Sequence, residues 1–122
     1  IVDDSMVNRL VAKEMLLSAF PGILITEADN GLRAIEALKR QSVEIILMDV
    51  IMPEMDGIEA TRRILAMDQS APPIIGLTAD VTEGVESQCR IAGMVDILIK
   101  PYERQVLIQR VQMALDAARI PL

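Results

Sequence analysis

Short apolar runs alternate along this chain with longer segments in which apolar residues recur every three or four positions. Runs without polar alternation are typical of strands that are covered on both faces of a parallel sheet. Five such runs occur, the first with two residues only: Ile1-Val2, Ile23-Leu24-Ile25, Ile45-Ile46-Leu47-Met48, Ile74-Ile75-Gly76-Leu77 and Ile97-Leu98-Ile99. The pattern therefore predicts five parallel strands.

The segments between these runs have the period of amphipathic helices. Their apolar stripes are Val7, Leu10, Val11 and Leu17; Gly31, Ala34, Ile35 and Leu38; Ile58, Thr61 and Leu65; Val81, Val85, Cys89 and Ala92; and Leu107, Val111, Ala114, Leu115 and Ala118. Asp4-Ser5 offers N-caps for the first helix, and Asp80 with Glu83 resembles a capping box for the fourth. Strict alternation with right-handed crossovers predicts one doubly wound α/β domain of the flavodoxin-like (βα)5 type, with helices on both faces of a single parallel sheet.

Composition restricts the possible functions of the chain more than it restricts the possible folds. The chain has 122 residues, of which 52% are hydrophobic, enough for one domain spanning residues 1–122. It opens on Ile1 without an initiator Met, and we expect a segment of a longer protein. A net charge of −6 disfavours direct nucleic-acid binding, and the absence of histidine excludes histidine acid–base and phosphohistidine chemistry within the chain. The single Cys89 and the lack of a membrane-spanning run favour a cytoplasmic location.

Polar residues follow four of the five predicted strands. The first ends in Asp3-Asp4, the third in Asp49, the fourth in Thr78 and the fifth in Lys100. The carboxyl ends of parallel strands form the usual ligand site, so these side chains should converge. No glycine-rich phosphate loop is present, and a cluster of oxygen donors favours a hard divalent ion such as Mg²⁺. A cation, a lysine and a hydroxyl around a carboxylate suit phosphoryl transfer, with Asp49 as the nucleophile.

These residues resemble the receiver domain of two-component response regulators, and the resemblance covers essentially the whole chain. It rests on Val2-Asp3-Asp4, on the run from Met48 to Gly57, on Leu77-Thr78-Ala79, and on Ala92-Gly93-Met94 leading to Lys100-Pro101. Each motif alone is weak, but together, in this order and each at a strand end, they are highly specific. The sequence around Thr78 and around Gly93 is similar to that of receivers attached to hybrid sensor histidine kinases.

The resemblance implies a role for each site residue and a set of partners. Asp49 would be the phosphoacceptor. Asp4, Asp49 and the Ile51 backbone carbonyl would be Mg²⁺ ligands, and Asp3 would act through a metal-bound water. Thr78 and Lys100 would contact the phosphoryl oxygens, Pro101 would follow a cis peptide bond, and Gly57 would lie in the loop before the third helix. The donor would be a phosphohistidine on a histidine kinase or phosphotransfer protein. An output domain or second receiver would contact the face of the fourth helix, fifth strand and fifth helix. The domain would be a switch and not an enzyme with an external substrate.

One position departs from the family pattern and keeps an alternative open. Receivers commonly carry an aromatic residue three positions before the lysine, where it moves with the threonine, and here that residue is Ile97. The switch would therefore pair Thr78 with Ile97, or the domain would be a degenerate receiver that acts as a protein-interaction module. A phosphatase with an aspartyl-phosphate intermediate is disfavoured, because Ile51 stands where such enzymes need an acidic proton donor.

Overall fold

Three hydrogen-bonded strands and five helices make up the regular structure in a computed structural model that describes residues 1–68, 70–80 and 82–119. The strands are β1 (Ile46–Asp49), β2 (Ile74–Thr78) and β3 (Asp96–Ile99). The helices are α1 (Met6–Ala19), α2 (Gly31–Arg40), α3 (Gly57–Met67), α4 (Glu83–Ala92) and α5 (Arg104–Arg119).

The sheet is parallel, and its order is β1-β2-β3. Val2 extends it beyond β1 through parallel bridges to Met48 on one side and to Ala28 on the other. The spatial order across the sheet is therefore Ala28, Val2, β1, β2 and β3. Because these segments are parallel, their carboxyl ends lie at the same edge of the sheet. That edge is where the predicted polar residues lie.

Helices cover both faces of the sheet, as the alternation predicted. On one face, Met48 and Ile74 pack with buried residues of α2, α3 and α4. On the other face, Leu47, Ile75 and Leu98 pack with Leu16 of α1 and with buried residues of α5. Successive strand residues point to opposite faces, so a run that is apolar at every position can fill both cores.

The second predicted strand is wrong in position. Ile23-Leu24-Ile25 forms no regular strand, Leu24 is 98% exposed, and pairing occurs instead at Ala28. The Ile1 amino group donates to the Thr26 carbonyl at 2.9 Å, and the Ala28 N–H donates to the Ile1 carbonyl at 2.9 Å, so the pairing begins after this run. An apolar run indicates a tendency to form a strand, but a strand also needs an adjacent strand in register with which its backbone can form hydrogen bonds.

The predicted apolar stripe of α1 does not face the core. Val7 is 66% exposed and Leu10 is 53% exposed, whereas Ala12 and Leu16 are buried. The helix is apolar around most of its circumference, so periodicity could not choose the face that packs on the sheet. Ser5 is the N-cap, as predicted, and its side chain accepts a hydrogen bond from the Asn8 N–H at 3.2 Å.

The predicted capping box before α4 is also wrong. The N-cap is Thr82, which makes no side-chain cap bond, while Asp80 accepts hydrogen bonds from the Thr82 N–H and hydroxyl at 2.9 and 2.7 Å. Asp80 therefore binds the N-cap residue and does not cap the helix itself. Val81 of the predicted stripe lies outside the described residues, and Cys89 is buried as the stripe predicts.

Candidate functional site

Asp3 is held in place before any ligand arrives. It follows Val2 at the edge of the sheet and is 2% exposed. One carboxylate oxygen accepts a hydrogen bond from the Ser5 N–H at 2.9 Å, and the other accepts one from the Lys100 ammonium at 3.1 Å. A buried carboxylate needs such partners, and here they fix the direction of both oxygens.

Asp49 ends β1 beside Asp3. Its backbone N–H donates to the Val2 carbonyl at 2.8 Å, which aligns the two strand ends. Its carboxylate lies 3.2 Å from the Lys100 ammonium and the residue is 6% exposed. Burial and the neighbouring charge of Asp3 raise the pKa of the Asp49 carboxyl above its ordinary value, because Lys100 offsets them only in part.

Lys100 joins the two carboxylates from the end of β3. Its backbone N–H donates to the Thr78 carbonyl at 2.7 Å, and the peptide bond to Pro101 is cis, as the family resemblance implied. Burial disfavours the ammonium, but the hydrogen bond to Asp3 and the charges of Asp49 and Asp3 outweigh it and raise the pKa of Lys100. The lysine therefore stays charged between two acids.

A third carboxylate completes an acidic cluster that has the chemistry of a metal site. Asp3, Asp4 and Asp49 each offer an oxygen, and these oxygens lie within 4.8 Å of one another. Asp4 is exposed, so the cluster opens to solvent on one side. Three carboxylates and one lysine leave an excess of negative charge, and an all-oxygen donor set fits a hard divalent cation. These residues therefore suit Mg²⁺.

Thr78 lies at the carboxyl end of β2 and is 2% exposed. Its hydroxyl oxygen accepts a hydrogen bond from the Asp80 N–H at 3.0 Å. A hydroxyl that accepts in this way keeps its own proton for donation to another acceptor. Thr78 is thus placed and oriented by the backbone of the loop that follows it.

The loop between Asp49 and α3 contains Ile51 and leads to Gly57, the first residue of α3. Ile51 comes two residues after Asp49 in the sequence and is 62% exposed. Gly57 donates its N–H to the Val50 carbonyl at 2.8 Å, and a Cβ at this position would overlap the backbone carbonyl of Asp49. The glycine is required by this close approach. Asp56 caps α3 by accepting from the Glu59 N–H at 2.9 Å, a role that its loop position did not reveal.

Ile97 lies away from the acidic cluster, on the side of β3 that faces α4. It is half-buried against the core between the sheet and α2, α3 and α4. No aromatic ring occupies this position, as the sequence states, so any movement here is that of an aliphatic side chain.

Two contacts to Asp3 were missed by sequence reasoning. The Ser5 N–H reaches its carboxylate, and the Arg9 guanidinium donates to its backbone carbonyl at 2.7 Å. Arg9 lies five residues after Asp4 and one helical turn beyond the N-cap, which is compatible with the contact but does not predict it. Its partner is a backbone atom, and sequence patterns carry no record of such contacts.

A parallel α/β domain with clustered carboxylates and a lysine at the carboxyl edge of its sheet has the architecture of a receiver domain. The family model of the response regulator receiver domain matches residues 1–112, and the chain belongs to that family. Among its relatives, chemotaxis protein CheY of Bacillus subtilis is 32% identical, over 95% of this chain and 95% of its own length. Histidine kinase 2 of Arabidopsis thaliana is 33% identical over 88% of this chain, which spans 11% of that kinase.

Solved structures agree with this assignment. The receiver domain of a sensor histidine kinase from Pseudomonas aeruginosa has a TM-score of 0.84 and 38% identity, covering 94% of this chain and 93% of that one. In that structure a magnesium ion is coordinated in the active-site cleft. Receiver architecture and a parallel sheet with five helices are therefore confirmed. Within the described part of this chain, no helix is both long enough and apolar enough to cross a membrane.

Proposed function

We propose that this domain accepts a phosphoryl group on Asp49 from a phosphohistidine of a donor protein in a two-component phosphorelay. The observation that carries the proposal is the placement of a largely buried Asp49 carboxylate 3.2 Å from Lys100 and beside two further acids. In the transfer, an Asp49 oxygen bonds to phosphorus while the phosphorus–nitrogen bond of the donor breaks and leaves its electron pair on the imidazole. The product is an aspartyl phosphate.

The chain's own residues supply positioning and charge. Lys100 reaches toward Asp49 and can neutralise one oxygen of the incoming group, which requires it to loosen its contact with Asp3. Thr78 offers a hydroxyl proton to a second oxygen. Such preorganised donors are the main source of catalysis in phosphoryl transfer, since little covalent chemistry is left to the protein.

We further propose that the acidic cluster holds Mg²⁺. Asp4, Asp49 and the Ile51 backbone carbonyl would be its ligands, and Asp3 would orient a metal-bound water. A bound Mg²⁺ would supply positive charge that offsets the developing charge on the transferred group. The magnesium-bearing Pseudomonas receiver and the oxygen-only donor set support this assignment.

The donor protein would dock on α1. This helix begins two residues after Asp4, and its exposed face is largely apolar. The exposed apolar side chains, which we call the α1 stripe, are Met6, Val7, Leu10, Val11 and Leu17. A donor must bring its phosphohistidine to the edge of the sheet, and the α1 stripe is an apolar surface that starts at that edge. The face formed by α4, β3 and α5, with exposed Ile91 and Met113, is left for an output domain or second receiver.

Intact mass after incubation with Mg²⁺ and acetyl phosphate tests the proposal. We expect a gain of one phosphoryl group that requires Mg²⁺ and is absent from Asp49→Asn. A folded wild-type domain that gains no phosphoryl group would overturn the proposal and favour the interaction module, for which the aliphatic Ile97 is the specific argument.

A further inference from the structure

Arg9 connects α1 to the acidic cluster through a backbone atom. Its side chain is 16% exposed, and its Nη1 donates to the carbonyl oxygen of Asp3 at 2.7 Å. Its Nε donates to Glu27 at 3.2 Å. The guanidinium thus bridges the end of the first strand segment and the residue before Ala28, which itself pairs with Val2.

The carbonyl that Arg9 holds belongs to the peptide group between Asp3 and Asp4. A peptide group is planar, so fixing its oxygen also fixes the direction of the Asp4 N–H and Cα. The preceding peptide is fixed separately, because the Asp3 N–H donates to the Ala28 carbonyl at 3.1 Å. Asp3 is further held by Ser5 and Lys100. Asp4 is the exposed member of the cluster, and Arg9 restrains the backbone from which its side chain extends.

We propose that Arg9 is a positioning residue for the metal site, which fixes the Asp3–Asp4 peptide and so directs the Asp4 carboxylate into the acidic cluster. The inference rests on the proposed Mg²⁺ site. Partners that orient metal ligands commonly contribute about tenfold or more to metal affinity. Arg9 itself carries a positive charge, so a purely electrostatic effect on Mg²⁺ would have the opposite sign.

The two N–H groups that Arg9 uses point in different directions, which only a guanidinium provides at fixed geometry. An ammonium at this position would keep the charge but would not hold Asp3 and Glu27 together in the same way. Lys13 offers a matched control. The Lys13 ammonium lies 3.6 Å from Oε2 of the Glu27 carboxylate, and this is the one ion pair that Lys13 forms among the described residues. It shares the carboxylate but belongs to the next turn of α1.

The test measures the Mg²⁺ dissociation constant of the metal-free protein by amide NMR titration, with thermal unfolding alongside. We expect Arg9→Met to weaken Mg²⁺ binding by about tenfold, Arg9→Lys to restore only part of it, and Lys13→Met to leave it unchanged. We also expect ¹⁵N relaxation to show increased mobility of the Asp4 amide in Arg9→Met before metal is added. A merely structural role would lower the melting temperature without this local change.

Several outcomes decide the matter. Unchanged Mg²⁺ affinity in a folded Arg9→Met protein would overturn the inference, as would equal weakening in Lys13→Met. If Arg9→Met does not fold, Glu27→Gln loosens the same guanidinium, and we expect a smaller loss of affinity in the same direction. Wild-type protein that binds no Mg²⁺ would instead remove the proposed metal site, and the inference with it.

Discussion

At Asp49 the requirements of function and stability oppose each other. Two largely buried carboxylates share one lysine, and a third carboxylate lies beside them. Like charges this close disfavour the ionised state, which is why burial and Asp3 raise the pKa of Asp49. The same crowding prepares the site for a cation and an incoming phosphoryl group.

Asp49→Asn should therefore stabilise the metal-free domain at neutral pH, by about 0.5–2 kcal/mol, the range of substitutions that relieve unfavourable charge. An acid whose folded pKa is raised binds its proton more readily in the folded state. The stability of the wild type consequently falls as pH rises from the ordinary carboxyl pKa of 3.8 through the raised value. The advantage of Asp49→Asn should grow over this window and then level off.

Chemical denaturation in EDTA across pH 3.5 to 8 measures this difference. Adding Mg²⁺ should reverse the order, because the ion binds the folded wild type more tightly than the variant and stabilises it by mass action. An Asp49→Asn protein that is less stable than the wild type at neutral pH without metal would contradict the argument.

Gly57 illustrates a residue whose importance lies in the space it leaves. A Cβ there would overlap the Asp49 carbonyl and crowd Met48, so Gly57→Ala must displace the end of β1 or the start of α3. We expect a loss of about 1–3 kcal/mol in the free energy of unfolding. Phosphorylation by acetyl phosphate should also slow, because Asp49 shifts relative to Lys100.

Gly84→Ala is the matched control, measured by the same denaturation and intact-mass assays. Gly84 lies in the first turn of α4, and a Cβ there would meet no atom within 4 Å. Alanine is the better helix former, so this variant should gain up to about 1 kcal/mol. Equal stability of the two variants would show that the close approach at Gly57 has no energetic consequence.

At the scale of an element, α1 has two separate tasks. Its first turn and Arg9 support the acidic cluster, while the α1 stripe remains exposed. The sequence predicted the helix and its N-cap but not the face it buries, because apolar residues surround most of the helix. Ala12 and Leu16 are buried, and Leu16 packs with the sheet and α5, while the residues of the α1 stripe are left in solvent.

The exposed stripe makes a clear prediction about the two kinds of phosphodonor. Leu10→Lys should reduce transfer from a phosphohistidine protein that phosphorylates the wild type, on the order of tenfold for a central apolar contact. Acetyl phosphate needs no docking surface, so its reaction with the same variant should be unchanged. The rates are measured by phosphoryl loss from the donor and by intact mass of the receiver.

Met113→Lys provides the comparison for this experiment. Met113 is 57% exposed on α5, similar to the 53% of Leu10, but it lies outside the α1 stripe. It should leave both reactions unchanged. Equal slowing by the two lysine substitutions would indicate a general effect of charge, and slowing of the acetyl phosphate reaction by Leu10→Lys would indicate damage to the site.

At the scale of the whole molecule, strand ends were easier to predict than strand partners. Asp3, Asp49, Thr78 and Lys100 follow directly from the rule that parallel strands end at one edge. Their convergence needed no knowledge of side-chain contacts. The pairing at Ala28 and the Arg9 contact depend on which backbone atoms come together in three dimensions, and no periodicity of side chains contains that information.

The response of the whole domain to phosphorylation depends on Ile97. This side chain packs against the core beneath α2, α3 and α4, and its position carries no ring that could rotate between the surface and the interior. Thr78 can still move toward the phosphoryl group, because its hydroxyl proton is free to donate.

We therefore expect amide shifts in the loops after β1, β2 and β3, and small shifts on the face formed by α4, β3 and α5. Amide spectra recorded with Mg²⁺, before and during incubation with excess acetyl phosphate, measure this, and Asp49→Asn under the same conditions removes effects of the reagent. Large shifts along α4 that are absent from Asp49→Asn would show that an aliphatic residue at this position transmits the signal, and that the aromatic ring is dispensable for switching.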